Sequence, residues 1–163
     1  MFSACILPHV ASWNSGKRRG CEEVSDAHSE MLDLAVRLAE RAASGQSLSG
    51  AERAISDVMW IGTQVSPNGF DGWLAYTSCE RMRDTLNALV EIGCTEVADL
   101  VGEALRIAGV DPERIGDEER ERLVHVLREE NRERLQAVDA RFYDVYESSM
   151  ELCHQYAREH HLL

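Results

Sequence analysis

The sequence predicts an all-α fold, a compact single-domain bundle of about seven helices joined by short loops. Three observations predict it. Apolar residues recur at spacings of three and four along most of the 163-residue chain, the period of a helix with one buried stripe. Ser/Thr-x-x-Glu starts and glycine ends punctuate those stripes. No stretch shows the sustained alternation of a strand. At this length one domain is expected, with enough chain to bury a core without staples.

Residues 1–22 carry an apolar patch interrupted by Pro8 and His9 and followed by Lys17, Arg18 and Arg19. A secretory signal places its charge before its apolar stretch. Residues 1–22 are therefore expected to be a poorly ordered N-terminal extension, and residues 23–163 the folded unit. The first helix presents Met31, Leu34, Ala35, Leu38 and Ala42, with Ser25 as its cap and Gly45 as its end. Ser49 and Glu52 form a capping box ahead of a buried face of Ile55, Val58, Met59 and Gly62. Gly62 costs about 1 kcal/mol of helix propensity against alanine and suits a close helix approach.

Ser66-Pro67-Asn68-Gly69 suits a type I turn, so the helix is expected to stop there. A short aromatic helix, Phe70 to Tyr76, follows. Thr77 with Glu80 reads as a second capping box, opening a helix that turns Met82, Leu86, Leu89, Val90 and Ile92 inward and ends at Gly93. Thr95 opens the next, with Val97, Leu100, Val101, Ala104, Leu105 and Ile107 apolar, ending at Gly109. Asp111-Pro112 reads as a helix start. A long charged helix then runs from Asp117 to about Val138, with i,i+4 pairs Glu118–Arg122 and Glu130–Arg134. A final segment brings Phe142, Val145, Met150, Leu152 and Tyr156 to the core.

The formal charge is −12, from 29 carboxylates and 17 lysines and arginines. Nucleic-acid affinity comes mainly from cations meeting phosphates, so direct binding to nucleic acid is not expected, nor is docking on an anionic membrane. Long-range attraction favours a basic protein partner. No apolar run is long enough to span a bilayer. The five cysteines, Cys5, Cys21, Cys79, Cys94 and Cys153, form no CxxC pair. They fit reduced thiols in a cytoplasm better than a disulfide framework or a zinc site.

No chemistry announces itself. Phosphate-loop signatures and GxSxG are absent, and Lys17 is the sole lysine. His154 and His161 share a helix face without HExxH spacing, and Glu151 with His154 makes one Glu-x-x-His copy where a di-iron bundle has two. His125 falls on the outer side of its helix. Cys79 and Cys94 lie near helix starts, where a thiolate is favoured. No metal, cofactor or catalytic residue is assigned.

The stretch Ser49–Leu105, with its Asn68-Gly69-Phe70 turn, its Trp73, Leu74 and Tyr76 helix and its Ala88-Leu89…Ile92-Gly93 ending, resembles the DNA-mimic-protein-like family of bacteria. Asp139, Phe142 and Tyr143 resemble a later segment of the same family. Pro67-Asn68 stands where the family pattern has Asn-Gly, and Thr77 or Ser78 where it has an asparagine. The resemblance implies an all-helical, acidic, non-catalytic domain over residues 23–163. For some members it implies imitation of DNA toward a DNA-binding protein.

The leading expectation is thus a non-catalytic acidic module for a basic partner, such as a DNA-binding protein. B-DNA carries about one charge per 1.7 Å of axis, so a mimic needs carboxylates in rows. The candidates are Glu22, Glu23, Asp26, Glu30 and Asp33 on the first helix, and Asp117, Glu118, Glu119, Glu121, Glu129, Glu130 and Glu133 on the long one. Arg120, Arg122, Arg128, Arg132 and Arg134 interleave and read as a salt-bridged face. An immunity or regulatory binding protein is an alternative, as is a homodimer, as is an enzyme with a small-molecule pocket near Trp73 and Tyr76. Asn68, Gly69, Phe70, Trp73 and Tyr76 read as a structural joint whose aromatics anchor a helix crossing by burial.

Overall fold

The computed structural model describes residues 26–163. Among them it has six helices and no strand: α1 Asp26–Ala43, α2 Gly50–Tyr76, α3 Cys79–Ile92, α4 Thr95–Ala108, α5 Asp117–His125 and α6 Glu129–Glu159. The fold is the all-α bundle the periodicity predicts. The expected extension at 1–22 and the Ser25 cap lie outside the described residues.

Local signals placed most helix ends. Ser49 and Glu52 form the reciprocal capping box that opens α2. Gly93, at φ +89°, ends α3 in a left-handed cap, with the N–H groups of Gly93 and Cys94 returned to the carbonyls of Val90 and Leu89. α4 ends alike at Gly109.

Four expectations are corrected. The helix does not stop at Ser66-Pro67. It runs on, and only Gly69 departs from helical geometry, at φ 64° and ψ −177°. That region is open essentially to glycine alone, so the break falls at the glycine and not at the proline kink before it. Secondly, the cap of α3 is Ser78, whose Oγ accepts the N–H of Arg81 at 3.2 Å, while Thr77 caps the end of α2. Thirdly, Asp111-Pro112 starts a turn, not a helix: Asp111 Oδ1 accepts the N–H of Glu113. Finally, the charged helix is interrupted after His125, and α6 restarts at Glu129 and continues to Glu159. Val124, Leu135 and Val138 are buried on the stripe their spacing predicts and Val126 is exposed opposite them, so the interruption is one that the apolar pattern does not signal.

The core is lined by every helix. α6 packs on α2 through Gly62, where a Cβ would lie 2.2 Å from the Tyr146 ring, so the helices meet as closely as the glycine allows. The Tyr146 hydroxyl donates to the carbonyl of Val58 at 3.1 Å. Phe142 stacks on Tyr146 and meets Phe70 edge-on at 5.4 Å. Val90 and Leu152, expected inside, are exposed. Val90 sits a full helical step round from Leu89, which the core takes instead.

Candidate partner-binding surface

The break at Gly69 is held from α6. Asp139 Oδ1 accepts the N–H of Phe70 at 2.7 Å. Asp139 thus caps the second half of α2 as an N-cap side chain would, from a distant helix. Tyr143 donates its hydroxyl to the carbonyls of Ser66 and Val65, at 3.0 and 3.2 Å. In an unbroken helix the Ser66 carbonyl would pair with Phe70 N–H. That donor is committed to Asp139, and Tyr143 takes its place. A Cβ on Gly69 would lie 2.5 Å from Asp139 Oδ2, so the glycine is required by space as well as by φ. Burial pushes the Asp139 carboxyl up, against the Phe70 hydrogen bond, and the nearby Asp71 adds to it.

The aromatic joint divides into two parts. Phe70 and Trp73 are fully enclosed, but Tyr76 is 82% exposed. The expectation that all three anchor the crossing is corrected: Tyr76 falls at the last position of α2 and its ring stays in solvent. An enclosed Trp73 is unavailable to a small-molecule pocket or an aromatic cage. What lies near Tyr76 is an open groove of about 340 Å³ reaching Glu121 and His125. A second, of about 530 Å³, runs along Ser66–Gly69 to Asp139 and Tyr143.

The acidic residues separate by depth and partner. Glu22 and Glu23, with the side chain of Asp26, lie outside the described residues. Glu30 is exposed and bonds His154 Nε2 at 2.7 Å, tying α1 to α6. Asp33 is exposed. Asp117 is structural: its Oδ1 accepts the N–H of Cys79 at 2.7 Å, and that bond foremost holds its carboxyl below the usual range. Glu118, Glu119, Glu129, Glu130 and Glu133 are exposed and make no ion pair among the described residues.

The interleaved arginines do not form the expected salt-bridged face. Arg120 is buried, with Nη1 donating to the carbonyls of Leu74 and Ala75 at 2.7 and 2.8 Å, two of the orphan carbonyls at the end of α2. It also meets Asp117 and Glu121. Arg132 reaches across to Asp71. Sequence reading missed both roles. A signal for Arg120 was present: it stands four residues before Val124, on that residue's buried stripe. Nothing local pairs Asp71 with Arg132.

Among the described residues no group of three histidines, cysteines or carboxylates is arranged to hold a metal. Cys79, Cys94 and Cys153 are free and buried. Burial first, then the Asp117 carboxylate, pushes the Cys79 thiol up, so the helix start does not make it a thiolate. The hydrogen bond with Cys94, with burial behind it, pushes the Cys153 thiol up. His125 is exposed, as its spacing predicts.

The family model described as DMP19-like protein matches residues 46–160. The chain belongs to the DMP19-like family. No curated protein and no solved structure matches it. The DMP19-like stretch takes in α2 through α6, hence the whole Gly69 joint and the carboxylates from Asp117 to Glu133. Candidates Glu22 to Asp33 fall before it. No helix among the described residues of this DMP19-like chain is long and apolar enough to cross a membrane.

Proposed function

We propose that this chain is a non-catalytic, cytoplasmic acidic module that binds a basic partner protein, competing with DNA for a DNA-binding protein. The observation that carries the reading is the disposition of charge on α5 and the start of α6. Glu118, Glu119, Glu129, Glu130 and Glu133 face solvent without a cation partner, while Arg120 is drawn inward and Arg132 is spent on Asp71. Arg122, Arg128 and Arg134 stay exposed among them, so five unpaired carboxylates stand against three arginines and the face keeps a net negative charge. A net charge of −12 adds long-range attraction for a basic protein, and DMP19-like membership supports the DNA-mimic form of the reading.

The test is capture of partners from a lysate of the source cell on the immobilised chain, followed by elution with duplex DNA and with salt. A basic DNA-binding protein released by both is the expected result. Partners that ignore both DNA and salt would sink the reading. A partner released by salt but not by DNA would keep the acidic module and remove the mimicry.

A further inference from the structure

The two grooves adjoin at the Asp71–Arg132 ion pair, which lines both, and together make a trough divided by that pair, with the second half of α2 on one side and α5 and the start of α6 on the other. We infer that this trough seats arginine side chains of the basic partner, with one guanidinium lying on the Tyr76 ring. The inference rests on the partner-binding reading above and names its contact point.

Three features of the trough carry it. Tyr76 offers a ring that the fold itself does not use: it is 82% exposed, and its hydroxyl makes no hydrogen bond among the described residues. A tyrosine ring carries 150–250 Å² of burial that only a partner can collect here, roughly. Tyrosine and arginine, with tryptophan, are the side chains enriched at interface hot spots, where the complex desolvates them.

The second feature is charge. Asp71, Glu121, Glu129 and Asp139 line the trough, against one arginine, one histidine (His125) and no lysine, and that arginine is already paired with Asp71. Their acceptor capacity is only part-used. Asp139 gives Oδ1 to Phe70 N–H, Glu121 gives Oε1 to Arg120, and Glu129 makes no ion pair. An ionised carboxylate has about four acceptor sites, so each can take a further donor. These carboxylates repel phosphate and match a cation.

The third feature is the combination of ring and carboxylates. A guanidinium is planar: it lies flat on an aromatic face and forks onto a carboxylate at once, which an ammonium cannot do. Small residues beside Tyr76 leave room for it. Gly72 and Ala75 line the groove there, and a Cβ on Gly72 would strike Asn68 at 2.3 Å, so that position is held small by the joint itself.

The experiment uses two labelled peptides of equal length, cationic positions all arginine in one and all lysine in the other, titrated against the full chain by fluorescence anisotropy at low salt. The expected preference is for the arginine peptide by about threefold to fivefold, the size of an exposed cation–π contact. Tyr76→Ala should abolish that preference, and Tyr76→Phe should keep it. Because Tyr76 is exposed, neither change threatens the fold. Glu118→Arg with Glu119→Arg, outside the trough, should weaken both peptides alike. If both peptides bind in a salt-dependent way with no preference, or the preference survives in Tyr76→Ala, the trough assignment is overturned and the acidic-module reading stands. If neither peptide binds, both are overturned.

Discussion

Phe70 N–H donates to Asp139 Oδ1 at 2.7 Å across 69 residues of chain. That bond, with Tyr143 on the carbonyls of Val65 and Ser66, lets α2 change direction while the Phe70 N–H and those two carbonyls keep partners. The bend in turn buries Phe70 and Trp73, carries Tyr76 out to solvent and forms one wall of the trough.

Gly69→Ala should destabilise the fold by about 2–3 kcal/mol, since a non-glycine residue in this region is strained and its Cβ would press on Asp139. Gly93→Ala is the control. Its φ is +89° but the space around it is empty, so it should cost only the left-handed penalty of about 1–2 kcal/mol. Urea denaturation of the two variants measures the difference. Equal costs would mean that Asp139 yields freely.

Asp139→Ala should cost about 1–3 kcal/mol by leaving the Phe70 N–H unpaired. Asp139→Asn keeps an acceptor and should stay close to wild type. The pH dependence has a definite sign. Burial raises the folded-state pKa of Asp139, so the folded state holds that proton more tightly than the unfolded chain. The contribution is complete below the ordinary carboxylate range and is lost as pH rises through the raised value. Wild type should therefore gain on Asp139→Asn as pH falls from neutral through that window. A stability difference that is flat with pH would contradict this.

Arg120→Ala should cost about 2–3 kcal/mol, the range for hydrogen bonds made by a charged group, because it frees the carbonyls of Leu74 and Ala75 and unties α5 from α2. Arg120→Lys should recover less than half of that loss, having no planar fork. The urea midpoint should fall with an unchanged slope. An Ala variant as stable as wild type would show that water replaces the guanidinium without loss.

Charge reversal at Glu118, Glu129 and Glu130 should slow association with the captured partner more than it speeds dissociation, since distributed charge acts mainly on encounter. The effect should shrink with added salt, as the screening length falls to about 8 Å at physiological strength. The melting temperature should fall only modestly: these side chains make no ion pair, but each stands in the first turn of its helix, where a charge is worth about 0.3–1 kcal/mol against the helix dipole. Stopped-flow or surface-based kinetics would read it, and an unchanged association rate would count against the electrostatic account.

The all-α class, the Ser49–Glu52 box, the glycine ends at Gly93 and Gly109 and the small residue at Gly62 were all legible in the sequence. The box and the glycine ends are contests settled within about four residues of chain, the reach of one helical hydrogen bond, while Gly62 was legible only as a small residue on an apolar stripe and not by its neighbour Tyr146. The net charge was legible too, because it is a sum and needs no geometry. Only the tertiary structure decided that the break falls at Gly69 and not at Pro67, that Tyr76 faces out while Trp73 is enclosed, that Arg120 is buried, and that Asp71 holds Arg132. Those outcomes turn on which helix covers which end of another, on contacts between residues far apart in the chain. Periodicity ranks the faces of a single helix, but it carries no information about where its neighbours stop. The exposed end of α2 and the cation-free carboxylates of α5 and α6 were therefore set by packing.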